Sequence, residues 1–252
     1  MPLKSAFRRL RLCARRGPAK RHRESLIKQR KLPGTVVFYH RVADEHPNDW
    51  TIGCRQFTKQ MRWLKEHTEC VDLATIQRHV KQGSARRLTS VTFDDGYSDN
   101  GTWALPLLQQ LQIPCTYFVS TEHVRTGLPF QHDLAAGARL PVHTPEDVKR
   151  WADRGIEIGC HTRNHVDFSK IEDPRLIDEE VAVAKDELER MIGGPVRYFA
   201  VPFGLPEQLT PVLVDAIRRA GFQGFTSAYG DYNDVGGNEF HIKRVHGDSD
   251  WS

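Results

Sequence analysis

The chain has 252 residues, 39% of them hydrophobic and 27% charged, a composition that excludes the disordered, collagen-like and membrane-spanning classes and suits one substantial core. Its formal net charge of +4 is unevenly spread: the first 31 residues carry twelve Lys or Arg against one acid, Glu24, a net +11, while the remainder holds 24 basic and 31 acidic residues, a net −7. The body is therefore no nucleic-acid-binding surface in its own right, and no nucleic-acid partner is expected.

Residues 1–32 read as a flexible basic arm. Phe7, Leu10 and Leu12 lie among its arginines, so residues 1–31 would allow peripheral contact with an anionic membrane, each basic side chain adding about 1 kcal/mol near that surface. A solvated tail or a degenerate targeting sequence fits the same composition. Arginines interrupt every apolar cluster of SAFRRLRLCARR, so no signal peptide is expected, and no run approaches the roughly 20 apolar residues of a membrane helix. A cytoplasmic or peripheral-membrane location is the expectation.

From Pro33 onward, short β-rich runs alternate with helical spacing, the pattern of βα units around a parallel sheet. The expected strands are TVVFYH (35–40), SVTFDD (90–95), CTYFVS (115–120), IEIGCH (156–161), VRYFAVP (196–202), QGFTSA (223–228) and FHIKRV (240–245). Between them, 54–67 carries Phe57, Met61 and Leu64 on one helical stripe, and 173–193 reads as a helix capped by Asp173, with Pro174 in its first turn and Gly193 after its last. Residues 121–143 break the rhythm and have no clear period. The five cysteines, Cys13, Cys54, Cys70, Cys115 and Cys160, are odd in number and include no C-x-x-C, which argues for reduced, mostly buried thiols. Seven strands with their helices fit an α/β barrel over residues 33–252.

Two constellations carry chemistry. Asp94 and Asp95 end a buried-looking strand; two carboxylates desolvated side by side repel and call for a cation or a shared proton. D-D-G is also good turn chemistry. His161 and His165, four apart, follow another strand, and in a helical turn both would face one side; such a pair can equally be a solvated face. Both signals sit at the C-terminal ends of parallel strands, where barrel enzymes build their sites. One Asp with two His is a three-ligand set suited to Zn²⁺ or a similar divalent ion.

The segments TFDDGY, HTRNH and YFAVPFG resemble successive motifs of the polysaccharide deacetylases, the NodB-like carbohydrate esterase family 4, and the likeness extends from VVFYHRV to the IKRV near the C-terminus. The early Tyr-His resembles the branch that includes the poly-N-acetylglucosamine deacetylases. The resemblance implies a distorted (β/α)7 barrel and a metal-dependent hydrolase that releases acetate from N-acetylated polysaccharides or oligosaccharides. It assigns the metal to Asp95, His161 and His165, with Zn²⁺ first and Co²⁺ or Ni²⁺ as alternatives, and the general base to Asp94. The backbone N–H of Phe203, where the family usually has Tyr, would stabilise the oxyanion. It would also allow an extracytoplasmic site of action.

The chain departs from the family pattern in two places. It lacks the usual late Leu-x-His, so His40 is the expected general acid, with His246, near Asp248, as its competitor. The usual Arg-x-Pro-Tyr reads Ala200-Val201-Pro202-Phe203, so Arg244, and more weakly Arg197, is expected to orient Asp94 instead. Trp50, Tyr97, Phe203 and Trp251 could offer apolar faces to a sugar ring, though such residues are commonly core. The sequence does not name the polymer; the 121–143 segment is the place expected to decide it. A catalytically idle carbohydrate-binding relative would have lost a ligand or the base, and all four residues are present. An adaptor working through the basic arm leaves those four residues unexplained.

Overall fold

The computed structural model describes residues 24–247. Seven parallel strands form a closed ring: β1 (Thr35–Tyr39), β2 (Leu88–Phe93), β3 (Cys115–Val119), β4 (Glu157–Cys160), β5 (Tyr198–Ala200), β6 (Gly224–Gly230) and β7 (His241–His246). Neighbours in sequence are neighbours in the ring, and β1 closes it by pairing with β7 on one side, Val37 opposite Val245, and with β2 on the other, Val37 opposite Val91. Glu69–Cys70 adds a short parallel strand to β2, and Arg41–Val42 pairs with Thr51–Ile52. All seven expected strands are present.

Parallel strands covered on both faces read as continuous apolar runs, and β2, β3 and β5 are buried at every position. Alternation then sorts the side chains into two layers. Val37, Val91, Phe93, Tyr117, Val119, Ile158 and Phe199 belong to the large cluster under the helices, whereas Val36, Leu88, Phe118, Tyr198, Ala200 and Ile242 form a second cluster inside the barrel. Fully burying one such Val, Leu or Phe contributes about 1.5–3 kcal/mol. Phe118 fits inside because Gly159 faces it: a Cβ on Gly159 would stand 2.2 Å from the Phe118 ring.

The inward parity has a functional consequence. His40 continues Val36 and Phe38, Asp94 continues Ser90 and Thr92, His161 continues Gly159, and Arg244 and His246 continue Ile242. All of these side chains therefore point toward the barrel axis at its C-terminal rim.

The helix α1 (Cys54–His67) buries Phe57, Met61 and Leu64, as its spacing predicts. The helix α2 starts at Pro174, with the Asp173 carboxylate accepting from the N–H of Arg175 at 2.9 Å, and ends at Gly193 with φ 71°. It is not uniform: Pro174–Asp178 and Ala184–Ile192 are α-helical, but Glu179–Val183 widens into a π turn. Residues 121–143, expected to lack regular structure, contain two short helices, Thr121–Thr126 and Gln131–Ala135, and an antiparallel bridge from Val142 to Tyr97. Their shortness hides any period from a sequence window.

Of the arm, residues 1–23 lie outside the described residues, whereas 24–28 are helical, Lys31 bridges Ser84 and Leu32 is buried. Cys54, Cys70, Cys115 and Cys160 are free thiols; burial pushes the Cys115 thiol up to about 12, which keeps it protonated and inert. Among the described residues, no helix is long and apolar enough to cross a membrane.

Candidate active site

The β2 strand delivers both carboxylates. Asp94 is its next inward position, and its N–H donates to the carbonyl of Tyr39 at 2.9 Å, which locks β2 to β1 beside the site. Asp95 then turns into the left-handed region, φ 73°, followed by Gly96 at φ 90°. Gly is required there, because the conformation is unfavourable for an L side chain and a Cβ would meet Val119 at 3.1 Å. This turn brings Asp95 to the same cavity as Asp94. Side-chain alternation alone would have sent it to the opposite face.

His161 and His165 converge by a different route from the expected helical turn. No helix spans them: Thr162 and His165 are both left-handed, φ 65° and 55°, and the segment folds back as a compact loop. The carbonyls of His161, Thr162 and Arg163 accept from Ser120 Oγ at 2.7 Å, Thr121 N at 3.2 Å and Glu122 N at 2.9 Å. The N–H of His165 donates to Thr162 Oγ1 at 2.8 Å. His161 Nδ1 lies 2.8 Å from the Ala200 carbonyl, so it carries the proton and leaves Nε2 as a lone pair facing inward.

The two Nε2 atoms each stand 3.3 Å from one oxygen, Oδ1 of Asp95. That oxygen is buried with no hydrogen-bond partner, and the three ligand atoms lie within 4.8 Å of one another. Burial alone would raise the Asp95 carboxyl, yet its neighbours His161 and His165 hold it well below the usual carboxylate range. An ionised, buried, unbonded oxygen facing two imidazole nitrogens fits a divalent cation in chemistry and in charge.

Asp94 is bound differently. Arg244 Nη1 and Nη2 each donate to one of its carboxylate oxygens at 2.7 Å, while Arg244 Nε donates to the Ser227 carbonyl at 2.8 Å and the guanidinium lies 4.5 Å from the Phe38 ring. Burial works to raise the Asp94 carboxyl; Arg244 first, then His161, overcomes it, and the group sits below its ordinary value. At Ala200, where the resembled motif has Arg, a small buried side chain leaves room and its carbonyl fixes His161. Arg197 lies elsewhere, paired with Glu157 at 2.7 Å.

His40, His246, Trp50 and Phe203 line the same cavity of about 450 Å³ as Asp94, Asp95, His161 and His165. The His40 ring packs 4.8 Å from Trp50 and 5.7 Å from His246, and burial, opposed by Asp95 and Asp94, lowers it to about 4. Phe203 is left-handed, φ 60°, and half exposed on a rim pinned at Gly204, where a Cβ would strike the Ala228 nitrogen at 2.5 Å.

Tyr97 corrects an expectation. It has no exposure, and its hydroxyl donates to Asp133 at 2.7 Å and meets His132 Nε2 at 3.0 Å, so it cannot present a face to a sugar. The residue that does reach the cavity from this segment is His132, which the sequence reading missed. Its signal was faint, one of three histidines, with His123 and His143, in an aperiodic stretch. Asp248 and Trp251 lie outside the described residues.

A family model for polysaccharide deacetylase matches residues 81–225. Over 230 residues the chain is 24% identical to the poly-beta-1,6-N-acetyl-D-glucosamine N-deacetylase of Staphylococcus aureus (strain MRSA252), which covers 87% of this chain and 75% of that one. Two solved structures share the fold. The Streptococcus pyogenes deacetylase PplD in complex with acetate has a TM-score of 0.73 at 18% identity, over 88% of this chain and 95% of that one. IcaB from Ammonifex degensii has a TM-score of 0.71 at 24% identity, over 85% and 91%.

Proposed function

The chain belongs to the polysaccharide deacetylase family, and we propose that it hydrolyses the acetamide of N-acetylated sugars in an N-acetylglucosamine-type polysaccharide or oligosaccharide, leaving a free amine and acetate. The observation that carries the reading is the pairing of two differently bound carboxylates on one cavity: Asp94 gripped by Arg244, and Asp95 gathered with two imidazoles.

Asp95, His161 and His165 would hold one divalent ion, Zn²⁺ first, with Co²⁺ or Ni²⁺ as alternatives; bound there, it supplies Lewis acidity to the acetyl carbonyl and to a water molecule. Asp94 takes the proton of the attacking water. Arg244 keeps Asp94 ionised and fixes the plane of its carboxylate, so a lone pair is already aimed when water enters. The Phe203 N–H donates to the oxygen that becomes negative as water adds. His40 gives the departing nitrogen the proton that Asp94 took from the water: a ring neutral at pH 7 can accept that proton, and negative charge gathering on the acetyl oxygen raises its pKa during the step, the direction a relay to nitrogen needs. His246 shares the cavity and is the other donor within reach. Trp50 and Phe203, both about half exposed on the rim, would flank the sugar.

The test is acetate release from N-acetylglucosamine oligomers by the parent and by Asp94→Asn. The expected result is release by the parent and a loss of about 10²- to 10⁴-fold in the variant. No release by the parent, or full activity in the variant, would overturn the reading.

A further inference from the structure

The loop that carries both imidazoles has two backbone donors not yet accounted for. The N–H groups of Arg163 and Asn164 both donate to a single oxygen, Oε2 of Glu180, at 3.0 and 2.8 Å. The other oxygen of that carboxylate accepts from Asn164 Nδ2 at 2.6 Å. Glu180 is 5% exposed, while Arg163 is half-buried and Asn164 exposed, so the carboxylate is withdrawn from water and depends on these bonds.

Glu180 sits in the π turn of α2, Glu179–Val183. A π turn adds a residue to the helical circuit and rotates the side chains that follow relative to an unbroken α-helix. Here the interruption coincides with the carboxylate that accepts from the backbone of the 161–165 loop, while Glu187, further along the helix, pairs with the Arg163 side chain at 3.2 Å. Ile177, Ala184 and Leu188 of the α-helical parts, and Val181 of the π turn, are buried in the core. The helix therefore carries a buried acid beside its buried apolar stripe, Glu180 lying three residues after Ile177 and four before Ala184.

The loop's conformation is costly without such support. Thr162 and His165 are non-glycine residues at positive φ, each costing roughly 1–2 kcal/mol. Ser120, Thr121 and Glu122 hold the carbonyl side of the loop. Among the described residues, Glu180 is the acceptor for the Arg163 and Asn164 N–H groups.

We propose that Glu180 is a positioning residue: by clamping the Arg163 and Asn164 amides, it sets the left-handed loop that aims His161 and His165 at Asp95, and so sets the affinity of the site for a divalent cation. This rests on the functional reading above only in taking those three residues as the ligands.

The experiment measures Zn²⁺ affinity by competition with a chromophoric chelator, on the parent, Glu180→Ala, Glu180→Gln and Glu180→Asp, with metal-free unfolding recorded for each. The expected result is a loss of about 10- to 100-fold in affinity for Ala, the range for supporting shells of metal sites. Gln keeps the reach and an acceptor oxygen, and is expected to stay near the parent. Asp keeps the charge but is one methylene short, and is expected to bind more weakly than Gln. If Ala does not fold, the order of Gln and Asp decides. Asp binding better than Gln, or Ala losing only metal-free stability while its affinity is unchanged, overturns the proposal. A parent that binds Zn²⁺ but releases no acetate overturns the functional reading and leaves this inference standing; a parent that binds no Zn²⁺ overturns both.

Discussion

Arg244 and Asp94, 150 residues apart in sequence, meet inside the barrel through two parallel bonds of 2.7 Å. The contact exists because β1 closes the ring between β2 and β7, which brings the first acidic strand end and the last strand within reach of one another. Removing one member of a buried pair leaves the other unpaired, at about 3–5 kcal/mol. Arg244→Ala is therefore expected to lose stability of that order in urea unfolding and to lower kcat. Unchanged unfolding together with unchanged kcat would show that the pair does neither job.

The turn after Asp95 depends on a missing side chain. Gly96→Ala places a Cβ 3.1 Å from Val119 at φ 90°, and is expected to cost at least about 1–2 kcal/mol. Because the strain sits next to a ligand, the variant should also bind divalent metal more weakly. Thermal melts with and without added Zn²⁺ check both effects; a variant matching the parent in each contradicts the assignment of the turn.

Tyr97 is structural in this account. Tyr97→Phe takes the phenol hydroxyl from Asp133, which keeps Asn48 Nδ2 at 3.2 Å and His132 Nε2 at 3.7 Å. A loss of about 1–3 kcal/mol in stability is expected, with KM for N-acetylated oligomers little changed. A large rise in KM without loss of stability would mean that the phenol contacts substrate.

His241 sets a pH dependence of stability. Burial first, and Lys243 second, lower its pKa from 6.5 to about 4, while its ring stacks on Phe225 at 4.7 Å and Nε2 meets Ser227 Oγ at 2.8 Å. Between those two values the unfolded chain binds the extra proton, so the stability linked to this group is complete above pH 6.5 and is lost as pH falls toward 4. His241→Phe should be less destabilised than the parent on going from pH 7.5 to 5.5, by about 1 kcal/mol or less after solvent screening. Equal losses in urea unfolding would contradict it.

The barrel was legible because its signals are local and repeated: each strand is a short apolar run, and β1, β2, β4 and β7 end where the inward parity delivers His40, Asp94, His161 and His246. The two acids and two histidines were visible as types at strand ends. The way His161 and His165 converge was not, since four-residue spacing reads as a helical turn, whereas the chain uses positive φ at Thr162, a residue that does not advertise it. Tyr97 looked like a rim aromatic because its partner Asp133 lies 36 residues away. Glu180 reads as one more acid of an amphipathic helix, because its partners, the Arg163 and Asn164 amides, lie 17 and 16 residues away. Arg244 could be anticipated from need, since Asp94 without the motif arginine requires a cation, but its bidentate geometry comes from ring closure.

The most direct test of the central claim is metal stoichiometry: bound divalent ion per chain by elemental analysis, in the parent and in His165→Ala, with acetate release followed through chelation and Zn²⁺ re-addition. The account predicts one ion per parent chain, weakened retention in the variant, and parent activity that disappears with chelator and returns with Zn²⁺. Acetate release that ignores the chelator, or an ion retained equally well without His165, would contradict it.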